Sequence, residues 1–260
     1  MDETWIHNKE RWYGMLYEWE KLPEFMRTKE VWPYYIKLKK RSFEIFLKRI
    51  FDFTAATMMI LLLVPVFLIV ALWVRFDSHG PIFYTQKRVT QYGKIFKIYK
   101  FRTMTQCVHQ KGSLVTVSGD SRITHAGKWL RKYRLDELPQ LINIWKGEMT
   151  FVGTRPEVVP YVRQYTKEMY ATLLMPAGVT STASIAFKDE EQMLKEGMGE
   201  ECLEKVTDVN KIEDDIFDKI YLLKILPRKM FWNLQDIKNF SLFLDFKILL
   251  KTMYAIIKSN

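Results

Sequence analysis

The chain has 260 residues with 48% hydrophobic content and a net charge of +10, enough for one good-sized domain plus appendages. Its two cysteines, Cys107 and Cys202, stand far apart with no CxxC or Cys/His pattern, which argues against a disulfide framework or a zinc site and fits a reducing compartment. Lys37 to Arg102 holds 13 basic and three acidic residues, the whole surplus; the rest balances at 27 against 27. That surplus flanks an apolar run, which favours lipid head groups and phosphates over nucleic acid.

The N-terminus is polar and of mixed charge, without the pattern of a signal peptide. Trp5, Trp12 and Trp19 recur every seven residues, so they share one helix face. Packing against the rest of the protein and an interfacial or oligomer-contact role both fit that face. From Tyr34 a helix is expected to run into the apolar segment.

Phe53–Val74 is 22 residues without a charge. As a helix it would span about 33 Å, enough for a hydrocarbon core of about 30 Å. Pro65 near its centre removes the hydrogen bond to the Leu61 carbonyl and predicts a kink. A kinked spanning helix and a re-entrant helix that turns at Pro65 both fit these features. Spanning has precedent, because proline is tolerated in membrane helices. Basic residues on both flanks favour re-entrance.

Ile82–Arg88 and Ile95–Phe101 read as two strands around Gln91-Tyr92-Gly93. Thr124 caps a helix to about Tyr133, and apolar Leu138, Leu141, Ile142 and Trp145 follow at helical spacing up to a stop at Gly147. Asp136-Glu137 therefore sits at a helix start. Neighbouring helix residues point about 100° apart, so the two carboxylates suit different roles, one nucleophile and one metal ligand or positioning group. A charged helix start with no chemical role explains the same string. Arg155, in a turn before a helix, suits a phosphate clamp or a solvated loop. Lys100 and Arg102 share a strand face and suit a phosphate wall or an exposed basic edge. His79, His109 and His125 lack ligand spacing.

Glu157–Leu174 reads as helical after Pro156. Asp189–Asp218 carries 12 acids against three lysines and reads as a solvated face. Phe240–Ile257 suits an amphipathic helix at a membrane surface or across the core.

Taken in order, these strings resemble the bacterial sugar transferases, the monotopic phosphoglycosyl transferases. The matching pieces are Lys48-Arg49-Ile50-Phe51-Asp52, Gly80-Pro81-Ile82-Phe83-Tyr84-Thr85-Gln86-Lys87-Arg88 and Phe96-Lys97-Ile98-Tyr99-Lys100-Phe101-Arg102-Thr103-Met104. They continue with Arg134-Leu135-Asp136-Glu137-Leu138-Pro139-Gln140-Leu141, Lys146 to Gly153, and Arg155-Pro156-Glu157. The similarity runs from about Lys48 to Ile257. Departures are Val64 for a serine before the break, Thr90 for a glycine, Thr154 for a proline, and Ala177 and Val179 in a Pro-Gly-Ile-Thr string.

The resemblance implies an α-rich α+β monotopic membrane protein with a re-entrant helix broken at Pro65, a small β-hairpin and amphipathic interfacial helices. It implies an N-terminal extension over residues 1–40, a membrane element over 41–76 and a cytoplasmic catalytic domain over 77–260. The implied reaction moves a sugar-1-phosphate from a UDP-sugar to undecaprenyl phosphate, releases UMP, and serves glycan assembly at the cytoplasmic face of the bacterial inner membrane. Asp136 would be the nucleophile, and Asp136 and Glu137 would hold Mg²⁺. Lys100, Arg102, Arg131, Arg155, Pro156 and Glu157 would bind substrate. Lys37–Arg49 and Arg75 would meet anionic membrane lipids, and a homo-oligomer is allowed. The competing functions are a non-catalytic basic membrane scaffold and a Mg²⁺-dependent phosphohydrolase.

Overall fold

The structure is a computed structural model that describes residues 15–105, 122–187 and 218–259. Trp5, Trp12, Cys107, His109, Cys202 and all of the acidic stretch but Asp218 lie outside the described residues.

Residues 15–31 form turns and two short 3-10 segments, followed by α1 (Trp32–Lys39). Leu22, Met26, Val31, Tyr35 and Leu38 are buried in one cluster with Val158, Tyr161, Leu174 and Met230. The N-terminal region is thus built into the globular core. Tyr17 stacks on Tyr92 with centroids 4.4 Å apart, and the Tyr92 hydroxyl donates to the Met15 carbonyl at 2.8 Å. That fastens the tip of the β-hairpin, where Tyr92 adopts φ +59°. Of the tryptophan heptad, Trp19 packs against Trp32 and Tyr35.

Lys40-Arg41 separates α1 from α2 (Ser42–Asp77), so the helix expected from Tyr34 is two helices. α2 runs 36 residues and continues through Pro65 without a break, in place of the reversal expected there. The physical reason is local. Proline removes one intrahelical hydrogen bond, and both Pro65 and Leu61 lie on the exposed face, where nothing drives the chain apart. The opposite face carries Ala56, Leu63, Phe67, Val70 and Val74 at alternating spacings of three, four and seven, one stripe of the helix. That stripe packs on Phe96, Ile98, Phe101, Leu130 and Ile144. Phe67 meets Phe101 with ring centroids 5.7 Å apart, on the far side of Pro65 from Leu63. Each fully buried aliphatic side chain here contributes about 1.5–3 kcal/mol.

β1 (Phe83–Val89) and β2 (Ile95–Phe101) pair antiparallel, with Tyr84 opposite Lys100 and Arg88 opposite Phe96. α3 (His125–Lys132) starts at Thr124, whose hydroxyl accepts from Gly127 N at 3.0 Å. The Ala126 amide donates to Asp77, tying α3 to the end of α2. A 3-10 turn (Leu135–Glu137) leads into α4 (Gln140–Lys146), which ends at Gly147 with φ +86°, the left-handed conformation glycine tolerates.

β3 (Met149–Val152) and β4 (Ala177–Thr180) form a parallel pair. A Cβ on Gly178 would lie 2.2 Å from the Gly153 backbone nitrogen, so the two glycines permit the close approach that sets the following turn. The helix expected over 157–174 is a four-residue α5 (Val159–Val162) and a 3-10 segment (Met169–Leu174). α6 (Thr182–Ala186), a π-helical turn (Tyr221–Ile225), α7 (Leu226–Lys238) and α8 (Leu242–Ser259) complete the described chain. α8 turns Ile248 and Thr252 inward and leaves Phe243, Phe246, Leu250 and Met253 exposed, an amphipathic helix as expected.

Candidate active site

The residues that hold the site come first from α2. Lys48 is 5% exposed; its ammonium donates to the Val152 carbonyl at 2.8 Å and pairs with Asp245 of α8 at 2.5 Å. Arg49 donates to the last carbonyls of α4, Ile144 at 2.8 Å and Trp145 at 3.1 Å, where a cation also meets the negative helix end. Asp52 accepts from the Thr150 hydroxyl at 2.6 Å and from Phe151 N at 3.3 Å. One turn of α2 thus clamps α4, which follows the turn that carries Asp136 and Glu137, and β3 after it. Lys48 and Arg49 are inside this joint and not facing a lipid surface, contrary to the expectation for the Lys37–Arg49 run.

Arg134 carries the chain from α3 into the turn with φ +57° and ψ +19°, a left-handed conformation uncommon outside glycine. The turn presents Asp136, 7% exposed and without a hydrogen-bond partner among the described residues. Burial pushes the Asp136 carboxyl above the usual carboxylate range. The Glu137 charge adds to that push, and Lys100, Arg131 and Arg134 pull the other way.

Glu137 has opposite surroundings. Its Oε1 accepts from Lys100 Nζ at 2.7 Å and from Arg155 Nη2 at 2.6 Å. Burial alone would raise its pKa; Arg155 and Lys100 beside it outweigh that and hold the carboxyl well below the usual range. Lys100, Arg131, Arg134 and Arg155 therefore act on two carboxylates, which leaves a positive surplus for an anionic ligand.

The other expected site residues part from this group. Arg131 donates to the Thr103 hydroxyl at 3.0 Å and remains within electrostatic reach of Asp136. Arg102 is 4% exposed and grips the end of α2: it donates to the carbonyls of Val74 and Ser78, at 3.2 and 2.6 Å, and to Pro81. It anchors the end of α2 and does not share a wall with Lys100. Glu157 is 6% exposed; it accepts from the Tyr221 hydroxyl at 2.5 Å, with Lys229 at 3.6 Å. Pro156 is buried, and its carbonyl accepts from Arg88 at 3.2 Å. Glu157 and Pro156 thus fix the turn that carries Arg155. Arg88, itself held by Gln86 at 2.7 Å, and the unpartnered Gln140 were not singled out in the sequence, although both stand inside strings that resemble the family.

No group of three or more His, Cys, Asp or Glu side chains forms a metal cage among the described residues. A Mg²⁺ ion needs less than that, because one or two carboxylates plus substrate phosphates suffice. Asp136 and the second oxygen of Glu137 are free oxygen donors in one turn, so the donor set fits such an ion.

A family model for bacterial sugar transferases matches residues 43–259. The chain is 35% identical over 221 residues to the UDP-N-acetylgalactosamine-undecaprenyl-phosphate N-acetylgalactosaminephosphotransferase of Aeromonas hydrophila, covering 82% of this chain and 44% of that one. It is 38% identical over 142 residues to the UDP-glucose:undecaprenyl-phosphate glucose-1-phosphate transferase of Escherichia coli, covering 54% and 31%. With the exopolysaccharide production protein ExoY of Rhizobium meliloti it shares 31% identity over 232 residues, 82% of this chain and 86% of that one. The chain spans less than half of the first two relatives and most of the third. The turn with Asp136 and Glu137, the paired cations Lys100 and Arg155, and the apolar stretch of α2 fall within the matched residues, and the chain belongs to the bacterial sugar transferase family.

Proposed function

We infer that the protein transfers a sugar-1-phosphate from a UDP-sugar to undecaprenyl phosphate and releases UMP. The observation that carries this reading is the division of labour between Asp136 and Glu137. A carboxylate held by two cations at one oxygen has its charge neutralised and is a poor nucleophile. A desolvated carboxylate without a partner keeps its lone pairs available. Asp136 is therefore the nucleophile, and Glu137 holds Lys100 and Arg155 where a diphosphate needs them. The names of the Aeromonas and Escherichia relatives support the choice of donor and acceptor.

An Asp136 oxygen attacks the β-phosphorus of the donor. The new bond is carboxylate oxygen to phosphorus; the bond broken runs from that phosphorus to the bridging oxygen, which leaves with UMP. A phosphate oxygen of the acceptor then attacks the same phosphorus and displaces Asp136, giving a sugar diphosphate lipid. Lys100 and Arg155 neutralise the charge of the diphosphate, with Arg131 and Arg134 on the Asp136 side. Asp136 and Glu137 would hold Mg²⁺, which would supply further charge neutralisation on the phosphates.

The acceptor dictates a membrane seat. The exposed face of α2, with Leu61, Leu62, Leu68 and Phe76, meets the acyl chains, as do the outward residues of α8. The other face of α2 stays on one domain along its length, so both of its ends lie on one side of the bilayer, the cytoplasmic side. Lys37, Lys40, Lys87 and Lys97 remain exposed for anionic head groups.

The test is UMP release from a panel of UDP-sugars with undecaprenyl phosphate. A sugar-phosphate adduct on the peptide containing Asp136 is expected with donor alone. Silence across the panel from folded protein overturns the reading, and free sugar phosphate without acceptor replaces it with a phosphohydrolase.

A further inference from the structure

Three polar side chains follow one another at three-residue spacing from the catalytic turn into α4: Glu137, Gln140 and Asn143. The outer two are bound to β2. Glu137 accepts from Lys100, and Asn143 accepts from Tyr99 N at 3.0 Å and donates to the Lys97 carbonyl at 2.8 Å. Gln140 stands between them, 1% exposed. Neither its amide nitrogen nor its amide oxygen has a hydrogen-bond partner among the described residues. A buried amide left unpaired loses free energy that an apolar side chain of the same size would keep. Leu141 and Ile144 beside it show that the surroundings accept apolar groups. The chain keeps an amide at a disadvantage, one helical turn from the catalytic carboxylates.

We propose that Gln140 is a positioning residue for Glu137, on the reading of the site given above. In the ligand-free site both Lys100 and Arg155 bond to one oxygen of Glu137. A donor diphosphate brings further negative charge into the same cluster and draws the two cations onto its phosphates. Glu137 then gives up these two hydrogen bonds while it stays buried. The Gln140 amide is the adjacent donor, one turn along the helix. It takes up the Glu137 carboxylate and keeps it in place through the phosphoryl transfer. The unpaired amide of the ligand-free site is the bond that forms when the donor is bound.

The test uses full-length Gln140→Met, which keeps the volume and removes both hydrogen-bonding groups. Melting is followed in detergent with and without UDP, and kcat and KM are measured for a UDP-sugar. The ligand-free variant is expected to melt above wild type, and UDP is expected to raise its melting temperature less than that of wild type. kcat is expected to fall about 10–100-fold, the scale of a misplaced catalytic group, while KM for the donor stays within about threefold. A ligand-free melting temperature equal to or below that of wild type overturns the proposal, because the amide then has a structural partner. An unaltered kcat overturns it as well, and leaves the reaction itself standing. A wild-type protein that releases no UMP overturns the reaction on which the proposal rests.

Discussion

Asp136 and Glu137 are joined by one peptide bond and share burial and the nearby charges of Lys100 and Arg134, yet Glu137 accepts hydrogen bonds from two cations at 2.6 and 2.7 Å and Asp136 from none among the described residues. The two make opposite contributions to pH dependence. Asp136 titrates higher folded than unfolded, so folding takes up a proton between those two values, and stability falls as pH rises through that window. Glu137 titrates lower when folded; its stabilisation is present above the unfolded value and is lost as pH falls through the folded one. Asp136→Asn should therefore raise the melting temperature at pH 7 while UMP release drops about 10⁴-fold or more, the scale of a lost nucleophile. Glu137→Gln should lower it. A destabilised Asp136→Asn would contradict the unpartnered carboxylate.

Arg155 and Arg102 were alike as sequence candidates and should behave differently as variants. Arg155→Met removes the guanidinium proposed to bind the donor phosphates, and kcat/KM for the donor should fall about 10–100-fold, the worth of a charge-assisted hydrogen bond. Arg102→Met frees the end of α2; unfolding should become about 2–4 kcal/mol easier, with KM for the donor unchanged. Titrating both with urea and with donor separates the two roles.

Asp52→Ala tests the joint between α2 and β3. It leaves the Thr150 hydroxyl and the Phe151 amide without their acceptor in a buried setting. The expected loss is about 2–4 kcal/mol in denaturant unfolding, at two orphaned donors of about 1–2 kcal/mol each. A change below about 0.5 kcal/mol, the level of an ordinary surface site, would show the joint to be dispensable.

Arg134→Gly relieves a left-handed backbone worth about 1–2 kcal/mol for a residue with a Cβ. Stability should hold or rise, the relief being partly offset because glycine also loosens the unfolded chain. Activity should fall, because the cation near both carboxylates is gone. Unchanged turnover would leave the strained arginine without a catalytic reason.

Topology is open to labelling. In a background without Cys107 and Cys202, Lys40→Cys and His79→Cys should react with an impermeant thiol reagent from the same side of sealed vesicles. Labelling from opposite sides would refute a helix that stays on one domain.

The carboxylate pair, the hairpin, the cap at Thr124 and the stop at Gly147 were legible because each rests on local chemistry: charge at a helix start, period two, a hydroxyl cap, a left-handed glycine. Arg102 and Glu157 were misjudged because burial is not local. A cation in a string reads the same whether it faces phosphate or the carbonyl end of a helix. The helix expected over 157–174 failed for a related reason: Pro160 allows a first turn, and the core then takes the segment in two pieces. Pro65 shows the converse, a breaker overruled by a packed face. Gln140 gave no signal, since an unmade hydrogen bond is visible only once its neighbours are in place.

Because α2 contributes Lys48, Arg49, Asp52 and the Ala56–Val74 stripe to the interior, the apolar helix doubles as one wall of the globular core. Cutting it away to obtain a water-soluble fragment would uncover Phe96, Ile98 and Phe101 and unfasten α4 beneath Asp136. The fragment would aggregate before it could be assayed. Solubility for this protein has to come from dressing the outer face of the helix, by detergent, by lipid disc or by polar substitutions at positions such as Leu62 and Phe76, with the inner face left untouched.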